Sequence, residues 1–203
     1  MSDASDAVQR LPLFPLKTVL FPEGVLPLRV FEPRYMDMVT RCMREGSAFG
    51  VCLIAAGEEV GETAVPHAVG TEARIEQWDM EQVGLLTLLT RGGRRFSVID
   101  HEVERDGLLV AEVRWLEEPA PQPVPQAQSD LLPLLRTIVA ELGDRLPLPH
   151  HFDDAAWVGA RYAELLPIPT QAKQSLLELD DVLSRLEILQ QFLREHGLLP
   201  NVG

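Results

Sequence analysis

Leu11-Pro-Leu-Phe-Pro-Leu16, then Val19-Leu-Phe-Pro-Glu-Gly-Val-Leu-Pro-Leu28, then Arg29-Val-Phe-Glu-Pro-Arg-Tyr35: the fold is decided here. Aliphatic residues alternate with prolines too densely for any helix, because each proline removes a backbone donor and clashes with the preceding turn. Prolines at this density also argue against a central strand and suit short edge strands joined by tight turns. The pattern changes at Pro33, which stands where a first helical residue should be. Tyr35, Met38, Val39 and Cys42 then recur at helical spacing, Asp37 and Arg41 form an i,i+4 pair on the other face, and Gly46 supplies the stop.

Downstream the chain reads as β. Phe49–Ile54 is a short apolar run that suits a buried strand, followed by the polar loop Gly57–Glu62. From Val69 onward Thr71, Ala73 and Ile75 share one face, and Glu72, Arg74 and Glu76 the other. Leu85–Thr90 and Arg95–Ile99 flank Gly92-Gly93, which predicts a two-residue hairpin; Asp106-Gly107 predicts a second one, leading into Leu108–Leu116. The expectation is an antiparallel meander of short strands closed into a small barrel, because an open sheet would leave its edges exposed.

Pro-rich residues 119–128 read as a semi-rigid connector. Everything after it carries helical periodicity. Ser129 is placed to cap a helix with the stripe Leu131, Leu135, Ile138 and Leu142; Asp153 and Asp154 precede a second with Val158, Tyr162 and Leu165. Pro167 and Pro169 break it, Thr170 opens a third, and a fourth runs from about Asp180 to His196 with Gly197 beyond its end. The predicted domains are a β domain over 10–118 and a helical subdomain over 129–200 packed on it.

The 203 residues include 18 basic and 31 acidic side chains, a net charge of −13, and 46% are hydrophobic. The acidity is spread, with 12 basic against 20 acidic residues up to Glu118 and 6 against 11 beyond it. Neither part carries the basic field of a nucleic-acid binder, so polyphosphate partners are disfavoured. No apolar run approaches the length of a membrane span. The polar, acidic opening Met1–Asp6 is unlike a secretory signal, so the expected location is the cytoplasm, with Cys42 and Cys52 reduced and buried.

No reaction is encoded by motif. The sequence has neither the Gly-rich lysine loop of nucleotide hydrolases nor the G-x-S-x-G elbow. Lys17 and Lys173 are its only lysines; Lys173 and Ser175 are two apart on a helix and face different ways. His150-His151 with Asp153-Asp154 reads as a solvated loop, and Glu58/Glu59/Glu62 and Glu102/Glu104/Asp106 as solvated charge. No metal, cofactor or catalytic residue is expected. Two constellations remain as binding candidates: Arg29, Glu32, Arg34 and Tyr35 at a strand–helix junction, and Arg91, Arg94 and Arg95 beside Phe96. An arginine next to an aromatic ring can grip a peptide backbone or carboxylate. Alternatively Glu32 offsets the helix dipole and pairs with an arginine, while Tyr35 and Phe96 fill the core.

The opening stretch, from Leu11-Pro-Leu-Phe-Pro-Leu16 through Glu32-Pro-Arg-Tyr35-Met-Asp-Met-Val39, resembles the N-terminal, substrate-binding domain family of Lon protease. Phe49-Gly-Val51, Val69-Gly-Thr-Glu-Ala-Arg-Ile75, Arg94-Arg-Phe-Ser-Val98 and Ala111-Glu-Val-Arg-Trp-Leu116 follow in order. Leu166-Pro167, Lys173-Gln-Ser-Leu-Leu-Glu-Leu-Asp180 and Arg185-Leu186 resemble that family's helical extension. The resemblance implies an α+β fold, a PUA-like antiparallel β pseudo-barrel followed by a small helical subdomain. It implies non-catalytic recognition of unfolded or extended polypeptide, in a stand-alone member without the ATPase and Ser–Lys protease modules, working as an adaptor or in substrate selection. RNA binding and small-molecule binding stay open as alternatives, since this fold hosts more than one function.

Overall fold

A computed structural model describes residues 7–59 and 64–200; the opening segment 1–6 and Glu62 lie outside them. The chain divides into two compact units, Met1–Glu118 and Pro119–Gly203.

The first unit contains strands β1 (Gln9–Leu16), β2 (Val25–Val30), β3 (Phe49–Ala56), β4 (Val65–Gln82), β5 (Leu85–Val103) and β6 (Leu109–Trp115), with helix α1 (Pro33–Glu45) between β2 and β3. They form one sheet in the order β2-β5-β4-β3-β1-β6, and β6 pairs back onto β5. That last pairing closes a barrel of five strands, with β2 appended at its edge.

Three expectations need correction. The sheet is mixed: β1 and β3 run parallel, Leu13 opposite Gly50, because α1 is a crossover that returns the chain in the same direction. The strands are not all short: β4 and β5 are 18 and 19 residues long. Gly92-Gly93 is no hairpin but lies inside β5; the turn between β4 and β5 is at Val83-Gly84, with Gly84 at φ 85. Opposite Gly92 the register shifts, from Thr71↔Arg95 to Ala73↔Gly92, so β5 carries an extra residue. This is a β-bulge, and a bulge bends its strand. Before it β5 pairs with β2, and after it with β6. Gly92 is needed for close approach: a Cβ there would lie 2.1 Å from the Phe21 carbonyl oxygen. The 20–24 turn is held against it by Glu23 N–H donating to Gly92 O and Gly92 N–H to Gly24 O, both 2.8 Å.

The prolines of β1 sit in a strand with neighbours on both sides, against expectation. The two neighbours barely overlap, however. Gln9–Leu13 pairs with β6 and Leu13–Leu16 with β3. Each half has one edge without a strand, so Pro12 and Pro15 can point their missing donor there. β2, with Pro27, is a true edge strand paired only with β5.

Helix α1 starts at Pro33 and stops at Gly46 in the left-handed conformation (φ 63), and it buries Tyr35, Met38, Val39 and Cys42. These pack with Phe14, Phe49, Leu86 and Leu88 in the larger core. Leu11, Leu13, Cys52, Phe96, Leu109, Val113 and Trp115 form a second cluster. Both cysteines are free thiols and buried.

The second unit contains α2 (Leu131–Leu142), α3 (Ala155–Leu165), α4 (Thr170–Glu178) and α5 (Val182–Glu195). Asp154 caps α3, accepting from Ala156 N–H at 3.2 Å, and Asp181 caps α5. Ser129 does not cap α2; its hydroxyl donates to Gln126 O within the preceding 3-10 turn. The buried stripe of α2 is Leu131, Leu135 and Val139, with Ile138 only partly covered. Tyr162 is fully buried and donates its hydroxyl to Leu131 O at 2.5 Å, tying α3 to α2. His150 and His151 are partly buried rather than solvated, packed around Trp157 with ring centres 5.9 and 6.4 Å away.

Candidate functional site

The sheet has a gap at the head of β3. β3 begins at Phe49, opposite Ala73 of β4. β4 continues to Gln82, and among the described residues it is paired from Arg74 on only with β5. Across the line of β3, Gln9–Pro12 of β1 also runs past the β3 start, paired with β6 alone. Where β3 would extend, the chain is instead the end of α1, Gly46-Ser-Ala48. A groove of about 820 Å³ opens there, lined by Gln9–Pro12, the end of α1 and β4 from Glu72 to Trp78.

Its lining is mixed. Leu11, Met43, Ile75, Trp78, Val110 and Trp115 supply apolar surface; Arg10, Arg41 and Arg74 face Glu45, Glu72, Glu76 and Glu104. Most of these charges are paired. Arg74 Nη2 is 2.8 Å from Glu72 Oε2, Arg10 Nη2 is 2.8 Å from Glu102 and 3.3 Å from Glu104, and Arg91 Nε is 2.5 Å from Glu76. The C-terminal end of α1 adds the negative pole of a helix dipole. Trp78 is 59% exposed and projects from the β4–β5 hairpin together with Met80 and Val83. Cys42 reaches the groove, but burial pushes its thiol pKa up, so the neutral thiol dominates.

The predicted candidates fall in different places. Arg34 and Glu32 form an ion pair at 2.8 Å with little exposure. Arg34 also donates to Gly107 O at 3.0 Å and lies 4.8 Å from the centre of the Tyr35 ring, which stacks on Phe14 at 4.1 Å. These residues join the start of α1 to the β5–β6 turn. Arg29 is exposed on β2. Arg91, Arg94 and Arg95 are not one patch: Arg91 holds Glu76, Arg95 is 2% exposed with Glu118, and Arg94 lies 4.3 Å over the Trp115 ring. Only Arg91 and Arg94 approach the groove, through Glu76 and Trp115. Lys173 donates to Glu164 O at 2.6 Å, Lys17 is paired with Glu58, and Glu102 and Glu104 share Arg10. Among the described residues no three His, Cys, Asp or Glu side chains cluster as metal ligands would.

Sequence reading missed the groove itself. Trp78 and Trp115 were each legible as strand residues, but only the unequal lengths of β3 and β4 put them beside one opening. The available signal was Trp78-Asp-Met80 next to a Val-Gly turn, large apolar side chains where a hairpin tip is usually polar.

A strand barrel followed in the chain by helices, with an open groove of mixed lining, is a fold that by itself assigns no function. The chain matches the family described as the ATP-dependent protease La (LON) substrate-binding domain over residues 10–195. It is 26% identical over 203 aligned positions to Lon protease 2 of Myxococcus xanthus, covering 93% of this chain and 24% of that protein. It is 32% identical over 136 positions to protein cereblon of Danio rerio, covering 65% of this chain and 31% of that one. A crystal structure of a Lon N-terminal domain protein from Xanthomonas campestris superposes with a TM-score of 0.76 at 43% identity, covering 90% of this chain and 98% of that one. The N-terminal domain of Mycobacterium avium complex Lon protease, at 18% identity and a TM-score of 0.65, shares the fold. The chain belongs to the Lon substrate-binding domain family. It spans about a quarter of the length of the curated Lon proteases it matches, and among the described residues no helix is long and apolar enough to cross a membrane.

Proposed function

We propose that this chain is a non-catalytic polypeptide-recognition module that selects unfolded or extended protein segments in the cytoplasm, acting as an adaptor. The observation that carries the reading is the groove at the head of β3. It is open, bounded by backbone edges and lined by two tryptophans and by paired charges, which suits a chain segment better than a small polar metabolite. Membership of a substrate-binding domain family supports it. The dispersal of Arg91, Arg94 and Arg95 into separate pairings weighs against a phosphate-binding patch, as does the net charge of −13. Of the sequence candidates, Arg94 is the one proposed to meet the bound segment, from its place over Trp115; Arg29, Glu32, Arg34, Tyr35 and Arg95 are assigned to the scaffold.

The test is a pair of titrations of the full chain, at low and physiological salt, against a reduced and alkylated unfolded protein and against a structured RNA. The unfolded protein should bind with little salt dependence, and Trp78→Ala should weaken it about tenfold, the scale for an exposed aromatic anchor. Submicromolar RNA binding with a steep salt slope, lost on replacing Arg91, Arg94 and Arg95 together, would overturn the reading.

A further inference from the structure

The gap at the head of β3 has a definite backbone chemistry. Successive residues of a strand direct their N–H and C=O groups to alternate edges. Among the described residues no strand pairs with the outer edge of β4 beyond Ala73, so backbone donors and acceptors of Arg74–Trp78 are left open toward the groove, with their alternation interrupted once by the extra β4 residue between Ile75 and Gln77. Beyond that stretch Met80 N–H donates to the Asp79 carboxylate at 2.8 Å. Opposite lies the edge of Gln9–Pro12 that β3 does not reach. Unpaired strand edges recruit other strands.

We propose that the groove takes its ligand by β-strand addition: a short extended segment pairs antiparallel with β4 at Arg74–Trp78 and so prolongs the line of β3. This rests on the polypeptide-recognition reading and specifies it. Three features define the occupant. The edge spans about five residues, roughly 17 Å at strand rise, and the register shift between Ile75 and Gln77 bends it, so a few residues fit where a long flat strand does not. Side chains on alternate positions meet Met43, Ile75 and Trp78, which favours β-branched or aromatic residues. The remaining positions meet a balanced rim, where Glu45 is paired with Arg44 at 3.2 Å and Arg41 and Arg74 stand among Glu72 and Glu76, so the rim sets no charge preference. The ligand class is therefore an extended apolar peptide with β-branched or aromatic side chains facing Met43, Ile75 and Trp78. An amphipathic helix has all its backbone groups satisfied internally and offers nothing to this edge.

The experiment uses the full chain and a capped heptapeptide alternating valine and lysine. Two further peptides carry N-methyl groups on one or the other set of alternate amides, and a fourth has glutamate for lysine. Hydrogen exchange is followed with and without each peptide and with the unfolded protein. The expected result is slowed exchange of amides within 74–80 on binding, at least a tenfold loss of affinity for one or both N-methylated peptides, and affinities for the lysine and glutamate peptides within about threefold of each other. If the unfolded protein binds but neither N-methylated peptide loses affinity, or protection falls elsewhere, strand addition is overturned while recognition stands. A tenfold or larger difference between the lysine and glutamate peptides overturns the balanced-rim assignment. If neither the unfolded protein nor any peptide binds, the recognition reading fails and this proposal with it.

Discussion

Replacing Gly92 by alanine should damage the β unit far more than replacing a glycine usually does. The backbone angle at Gly92 is not in the left-handed region, so conformational preference alone would make alanine neutral or slightly stabilising. Space decides instead. The added methyl would lie 2.1 Å from Phe21 O and 3.3 Å from Leu20 Cγ. Ordinary contact begins near 3.4 Å, so the 20–24 turn and β5 must separate by about 1 Å. The hydrogen bonds lost are Glu23 N–H to Gly92 O and Gly92 N–H to Gly24 O, each worth about 1 kcal/mol net, and a buried group left unpaired costs about 1–3 kcal/mol more. The sum is roughly 3–5 kcal/mol. With a urea m-value of about 2 kcal/mol/M, the midpoint should fall by about 2 M. Gly84→Ala is the control: Gly84 has φ 85 and no atom within 4 Å of its added Cβ, so it should cost only about 1 kcal/mol. Equal losses for the two variants, or a loss under about 1 kcal/mol for Gly92→Ala, would refute the close-approach account of the bulge.

Two further outcomes follow from buried groups. Arg34→Ala should destabilise the chain by about 2 kcal/mol in urea titration, because it leaves the half-buried Glu32 without its partner and removes the bond to Gly107 O; Arg29→Ala, on an exposed strand position, should change it by under about 0.5 kcal/mol. Burial pushes the Cys52 thiol up to about 12. Between about pH 9 and 12 the folded chain therefore keeps a proton that the unfolded chain releases, and stability should fall with rising pH by up to about 1.4 kcal/mol per unit from this group. Cys52→Ala should flatten the alkaline decline measured in urea titrations at pH 8, 10 and 11, and an unchanged slope would exclude Cys52 as its source.

Local rules carried the helices well. Pro33 and Gly46 bound α1 and Asp154 caps α3 as read, because each is decided within a few residues; Ser129 fails as a cap because its hydroxyl turns back to Gln126 O, and the Asp181 cap of α5 went unread. Non-local relations were out of reach. Gly92-Gly93 has the composition of a hairpin, and nothing nearby in sequence reveals that Phe21, some seventy positions earlier, presses against it. Pro12 and Pro15 are incompatible with a strand flanked along its whole length, but a strand need not be edge or centre throughout. β1 is an edge on one side for its first half and on the other for its second. The candidate arginines failed to converge for a related reason. Arg91, Arg94 and Arg95 are adjacent in sequence, but strand alternation and the bulge send them to Glu76, the Trp115 ring and Glu118.

The same unequal strand lengths that hid the groove also explain why it exists. Closing the barrel requires β5 to serve β2 before its bulge and β6 after it, so β5 must be long, and β4, its hairpin partner, must be long too. β3 is limited at its start, because it must leave α1 through the left-handed Gly46 and enter the sheet within three residues. A long β4 beside a β3 that cannot start earlier leaves an unpaired edge at their mismatch. Elsewhere edges are managed: β2 carries Pro27, and β6 is paired on both sides. Among the described residues the β4 edge carries no proline from Arg74 to Trp78 and is flanked by a helix end and two tryptophans, which is what a site for an extended chain requires, and it follows from the topology of β3, β4 and β5. For that reason peptide affinity should depend on backbone amides and on Trp78 more than on any of the arginines read from the sequence.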